Sequence, residues 1–315
     1  MRVFPGAHCL LEWRSAVIIK RFAKEWPFHL LLLPGVVLAI IFSYVPMAGI
    51  LIAFERFIPT RGIFGSPWVG WSNFKMMFDY PDMGRVMFNT IYIAVLKIAG
   101  GLLVPITIAI LLNEVRKAAF KRAVQTLVYL PHFLSWVLLG GILIDILSPS
   151  TGIVNQILKL FGIEPIFFLG NNTWFPITLV VSDIWKEFGF GTIVYLAALT
   201  SINPSLYEAA EIDGANRWKQ TWHITLPGMM PIIVLMATLS VGNILNAGFE
   251  QIFNLYSPPV YESGDIIDTF VYRMGIVKVQ YGLATAVGLM KSVVSFILVS
   301  VSYMMAYRFA GYRIF

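Results

Sequence analysis

Six apolar runs, near 27–54, 88–112, 124–146, 175–198, 229–250 and 284–309, each exceed the roughly 18 residues that a helix needs to cross a bilayer. Lipid offers no partner to a backbone N–H or C=O, and a helix satisfies both internally. These runs therefore predict an all-α membrane protein with six transmembrane helices. The rest of the composition agrees: 58% of the 315 residues are apolar and 13% are charged, against about 25% charged in soluble domains, which excludes an ordinary soluble enzyme. No internal repeat or low-complexity tract divides the chain. We read a segment 1–26 followed by a single transmembrane domain over 27–315.

The first run follows Lys20, Arg21 and Lys24, as a secretory signal would. Its 28 residues exceed the about 7–15 of a signal core and no small-residue cleavage site follows, so a retained helix is expected. Thirteen Lys/Arg fall in the connections on the N-terminal side of the membrane and seven in the opposite ones. Positive charge stays inside, which predicts both termini in the cytoplasm.

The charges that remain point to lipid orientation rather than to nucleic acid. Net charge is +6, but the basic residues are spread between apolar blocks and form no basic face. His8, His29, His132 and His223 show no metal-ligand spacing, and the single Cys9 can form no internal disulfide and follows no lipobox. His132, behind Pro131 in the third run, reads as structural. In the outer connection 55–87, Trp68, Trp71, Phe74, Phe78 and Tyr80 read as an interfacial belt or a docking surface.

The connection 199–228 carries the chemistry. Asn203 suits an N-cap, Pro204 the first helical position and Gly214 a helix end, after which Ala215–Trp222 can form a second helix. This predicts a cytoplasmic helix-turn-helix. Three acids against two bases make it a poor partner for anionic lipid, and Ala209 and Ala210 beside Glu208 leave a surface that another protein can approach closely.

The spacing Glu208-Ala209-Ala210, three residues, Gly214, nine residues, Ile224-x-Leu226-Pro227 resembles the cytoplasmic signature of permease subunits in bacterial ATP-binding-cassette importers. Trp68-Val69-Gly70-Trp71-Ser72-Asn73-Phe74 is similar to sugar-importing permeases. Pro131-His132-Phe133-Leu134-Ser135-Trp136 and Pro258-Pro259-Val260-Tyr261 resemble a narrower group that imports oligosaccharides and polysaccharides, the acidic polymer alginate among them.

The resemblance implies the type I importer permease fold, with the loop as a coupling helix seated on an ATPase through Glu208, Ala209, Ala210, Asp213, Gly214, Leu226 and Pro227. It implies a second homologous permease, two ATPase subunits and an extracytoplasmic substrate-binding protein as partners, in a bacterial inner membrane. It also implies that this subunit is no enzyme and has no cofactor of its own, ATP and Mg²⁺ being held by the partner. The sequence contains no Gly-x₄-Gly-Lys-[Ser/Thr] phosphate loop.

Ionisable groups inside spans are costly and point to function. At about 1.5 Å per residue from the outer helix ends, Lys97 lies roughly 13 Å deep, Lys186 roughly 16 Å, and Asn243 and Lys291 roughly 10 Å. With Asn89, Asn246 and Glu250 at the outer mouth, they predict a polar sugar path. Asp183, Lys186 and Glu187 share a helix face, so Asp183 is expected to pair with Lys186, leaving Lys97 and Lys291 free to meet an anionic sugar. Two other readings compete. A secondary transporter would show inverted repeats or paired broken helices, and neither is evident in the sequence. A membrane-embedded enzyme would show a catalytic constellation, and none stands out.

Overall fold

The structure, a computed structural model, describes residues 25–310 and is all-helical over them, apart from one isolated bridge between Glu55 and Trp68. The basic residues of 1–24, with His8 and Cys9, and the last five residues lie outside the described part. Among the described residues, four helices are long and apolar enough to cross a membrane: α1 (Glu25–Phe54), α3 (Met83–Glu114), α9 (Arg217–Gly242) and α12 (Tyr281–Ala310). A fifth span is available if the bent pair α4 (Ala118–Phe133) and α5 (Trp136–Ile146) crosses as one.

That bend is far sharper than the kink at Pro131 expected within a single span over 124–146. The two halves meet at 102°, and the cause lies in Pro131 and Ser135. Pro131 has no N–H to give to the preceding turn. Leu134 and Ser135 then take extended conformations, and the Ser135 hydroxyl caps the new helix by accepting from the Leu138 N–H at 3.3 Å.

The fifth run is displaced as well. Instead of 229–250, the helix spans Arg217–Gly242, because Asn216 caps it early, its Oδ1 accepting from the Lys219 N–H at 2.9 Å. A π-helical stretch at Thr221–Thr225 widens the backbone just ahead of Pro227. The chain leaves the helix at Asn243, turns through Gly248 and re-enters as the short α10 (Phe249–Leu255). Ala215–Trp222 is therefore not a separate loop helix: most of it is the first part of α9.

After the short α6 (Ile153–Leu160), the remaining long helix, α7 (Trp174–Thr200), has 27 residues and carries Asp183, Lys186 and Glu187 in its middle. It packs along α3, and Leu179 and Phe175 join Ile93, Leu139 and Ile252 in the buried core. A second cluster, around Met77, Phe270, Met274 and Val287, joins α2 (Ser72–Phe78) and α11 (Ile267–Tyr272) to α12. Outward side chains such as Leu31, Phe42 and Phe296 are more than 70% exposed, an apolar coat that only lipid or another apolar protein surface tolerates.

The loop that follows α1 folds back onto its end. Phe54 stacks on Trp68 at 5.5 Å and meets Trp71 and Phe74 at 5.3 and 5.2 Å, while Asn73 donates to the carbonyls of Ala53 and Glu55, each at 2.9 Å. Trp68 and Trp71 stay exposed on this knob.

Candidate functional site

Four of the polar residues predicted from sequence converge. Lys97 of α3, Asp183 of α7, and Asn243 and Asn246 of the turn after α9 line one cavity of about 330 Å³, with Gly101 and Ser240. Asn246 and Asn243 are within 3.4 Å of each other, and Lys291 of α12 reaches Asn246 Oδ1 at 2.8 Å.

The lysines are not free, which corrects the expected pairing. Lys97 Nζ donates to Asp183 Oδ1 at 3.1 Å, to the Ala247 carbonyl at 2.8 Å and to Gln251 Oε1. An ammonium has three donors, so Lys97 is fully used. Lys291 pairs with Asp268 Oδ1 at 2.5 Å. Lys186 pairs with its neighbour Glu187 at 2.8 Å rather than with Asp183, and also donates to the His132 carbonyl at 3.0 Å. Lys97 and Lys186 are both buried. The cavity wall offers asparagine amides and one neutralised ion pair beside the apolar Ala94, Ile98 and Leu239.

Gln251, Asp268, His132 and Glu187 are the participants that sequence reading did not select. Gln251 completes the brace from below: its Nε2 donates to the Leu179 carbonyl and to Ser182 Oγ, each at 2.8 Å. Lys97 and Gln251 together fix the turn 243–248 against α7.

Two predicted residues stand elsewhere. Asn89 is buried away from the cavity and donates to the carbonyls of Glu262 and Asp265, at 3.0 and 3.3 Å, tying the segment ahead of α11 to α3. In that segment Asp265 accepts from Thr269 Oγ1 at 2.7 Å and from Arg273, and burial pushes its carboxyl above the usual range against the pull of both. Glu250 is exposed in the first turn of α10, two residues past the cavity-lining Gly248.

On the opposite side, α8 (Pro204–Ile212) follows the predicted caps. Asn203 Oδ1 accepts from the Ser205 N–H at 3.1 Å, and Pro204 opens the helix. Gly214 has φ +71°, and the bonds from Ala215 N–H to the Ala210 carbonyl at 2.8 Å and from Gly214 N–H to the Glu211 carbonyl at 3.1 Å close the helix in a Schellman motif. Tyr207 OH meets Thr225 Oγ1 at 3.0 Å, which fixes α8 to the first part of α9, and Arg217 at the start of α9 meets Glu114 at the end of α3 at 3.1 Å.

No residue of α8 is buried. Ile212 is 87% and Trp218 73% exposed, and Glu208 has no ion-pair partner among the described residues. Ala209, Asp213 and Pro227 are exposed too, with Ala210 and Leu226 half-buried. Apolar side chains exposed beside acidic ones are characteristic of contact surfaces.

Comparison with known proteins places this geometry. The family model described as "Binding-protein-dependent transport system inner membrane component" matches residues 101–310. The chain is 42% identical over 298 residues to the polygalacturonan/rhamnogalacturonan transport system permease protein YteP of Bacillus subtilis (strain 168), covering 95% of this chain and 92% of that protein. It is 43% identical over 289 residues to Protein LplB of the same organism, covering 92% and 89%. Among solved structures, a chain of a bacterial ABC transporter involved in the import of the acidic polysaccharide alginate superposes with a TM-score of 0.86 at 40% identity, over 93% of this chain and 99% of that chain. A chain of the bacterial alginate ABC transporter in complex with alginate pentasaccharide-bound periplasmic protein gives 0.84 at 40% identity, over 92% and 96%.

Proposed function

Since the chain belongs to the family of binding-protein-dependent transport system inner membrane components, we propose that it is the permease subunit through which an ATP-driven importer passes short uronic-acid oligosaccharides across a bacterial inner membrane. The subunit is a transport component and not an enzyme. One observation carries the choice of substrate: at 40–42% identity over nearly the whole chain, it is similar both to a permease named for polygalacturonan and rhamnogalacturonan and to a subunit of an alginate importer. All three polymers contain uronic-acid units.

The cavity supports a sugar path. Asn243 and Asn246 supply paired donors and acceptors for hydroxyl groups, and the two lysine–carboxylate pairs hold them in place without presenting a free charge. On this reading, the cationic groups that would meet a uronate carboxylate belong to the second permease or to the binding protein. The broken helix between α4 and α5 removes one argument against a secondary transporter, and family membership supplies a better one.

Six crossings are the reading of the helices that fits a single transmembrane domain over 27–315, with a short segment 1–26 ahead of it. At about 1.5 Å per residue, the 27 residues of α7 extend about 40 Å, enough to span despite their three charges. That count returns both termini to the cytoplasm and places α8 there. Its exposed Glu208 and Ala209, with the half-buried Ala210, then form the seat of an ATPase subunit, and the energy for import enters through this contact. A second permease, two ATPase subunits and the external binding protein complete the assembly.

The expected result is hydrolysis of ATP that depends on the binding protein. In proteoliposomes holding the four-subunit complex, the binding protein loaded with a galacturonate tetrasaccharide should raise ATP hydrolysis severalfold over the empty binding protein. Stimulation by neutral oligosaccharides alone would refute the assignment to acidic sugars.

A further inference from the structure

Below the cavity, one turn further along α7, lies a second cluster of polar groups. Glu187 Oε2 contacts His132 Nδ1 at 2.7 Å, and Glu187 Oε1 accepts from Lys186. The same Lys186 ammonium holds the His132 carbonyl at the break between α4 and α5 and lies 5.5 Å over the ring of Trp136. The imidazole stacks on Phe190, with ring centroids 4.4 Å apart. Gly189 permits the arrangement, since a Cβ there would lie 2.1 Å from the Val128 carbonyl oxygen, so the α7 backbone touches the broken helix directly.

The cluster is not sealed. The side chain of Glu187 is 43% exposed and that of His132 28%, whereas Lys186 is buried. At about 1.5 Å per residue, Glu187 lies about 20 Å from the outer end of a helix about 40 Å long, where an exposed carboxylate is costly in lipid. It therefore faces water or protein. Asp183, Glu187 and Phe190 recur at the spacing of one helix face, and Asp183 lines the cavity.

We propose that Glu187 and His132 form a second hydroxyl-binding station for a passing oligosaccharide, one helical turn inward of the cavity. This rests on the importer reading above. Each Glu187 oxygen accepts one bond within the chain and keeps a lone pair for a sugar hydroxyl. His132 Nε2 makes no hydrogen bond among the described residues, and Phe190, half-exposed, offers an apolar surface to a pyranose ring. The chemistry suits a polyhydroxylated ring. Lys186 cancels the local charge and pins the helix break, so that it acts as a positioning residue.

The test uses the four-subunit complex in nanodiscs with native cysteines replaced, Cys9→Ser among them. A Phe190→Cys variant should react with a charged, membrane-impermeant thiosulfonate. The rate should fall at least about fivefold when the complex is held with an ATP analogue and binding protein loaded with a galacturonate tetrasaccharide. A Glu187→Gln variant should import that oligomer about tenfold more slowly at parental yield of assembled complex. An unreactive thiol, a reactive thiol that the sugar does not protect, an unchanged import rate, or a loss of import matched by loss of assembly would each overturn the station. If the unsubstituted complex imports no galacturonate oligomer with ATP, the importer reading itself fails and takes the station with it.

Discussion

Replacing Gly214 with valine should cut uptake by at least about tenfold while the subunit still reaches the membrane. With φ at +71°, Gly214 sits where an L residue is strained by about 1–2 kcal/mol, and a β-branched side chain is the worst case. No atom lies within 4 Å of the position that a Cβ would take, so the effect comes from backbone strain and not from a clash. Relief of that strain displaces Ala215 and with it the bond to the Ala210 carbonyl that closes α8. A helix meant to seat on another subunit then points the wrong way. Glu208→Ala leaves the helix intact and removes only its unpaired carboxylate, so ATP hydrolysis stimulated by the binding protein should fall about tenfold, as for loss of a charge-assisted hydrogen bond. Uptake and co-purification of the ATPase read both variants. Parental values for both would remove the coupling role from this loop.

Lys97→Met should abolish import of acidic and neutral sugars alike. The substitution leaves Asp183, the Ala247 carbonyl and Gln251 without their shared donor, and breaking a buried ion pair from one side costs about 3–5 kcal/mol. The turn that carries Asn243 and Asn246 loses its anchor to α3. Adding Asp183→Asn removes the orphaned charge and should recover part of the lost thermal stability in detergent. A selective loss of uronate import at unchanged stability would instead make Lys97 a ligand of the substrate carboxylate, the role that the sequence suggested.

The comparison of these lysines shows why sequence reading reached the neighbourhood of the site and missed its wiring. Depth along a helix is a property of one segment, so Lys97, Asp183, Asn243 and Lys291 were legible as a polar belt. Partner choice depends on how helices rotate against one another. The i, i+3 spacing of Asp183 and Lys186 suggested a local pair, but α3 brings Lys97 to Asp183, and Lys186 turns to Glu187 and the broken helix. Gln251 and Asp268 lay in a stretch counted as an outer connection, where polar residues attract no notice. For Asp268 a signal was present in the helical recurrence of Asp265, Asp268, Thr269 and Tyr272.

The loop was the most legible element because its caps act locally. Asn203, Pro204 and Gly214 each fix one backbone position without help from the tertiary structure, and each is found as read. The break at Leu134–Ser135 was legible only as a kink at Pro131, and the continuous apolar run hid the Ser135 cap that turns it into a break. Hydropathy measures transfer to lipid and is indifferent to direction, so a helix that turns by 102° reads the same as a straight one.

The central claim is that this subunit carries an acidic oligosaccharide inward only when an ATPase docked on its cytoplasmic loop is working. It is tested most directly by uptake of a radiolabelled galacturonate trisaccharide into proteoliposomes of the four-subunit complex, with binding protein outside and ATP enclosed. The account predicts accumulation that requires both, is untouched by ionophores that collapse ion gradients, and is lost in Gly214→Val. Accumulation without ATP that follows an imposed proton or sodium gradient would contradict it.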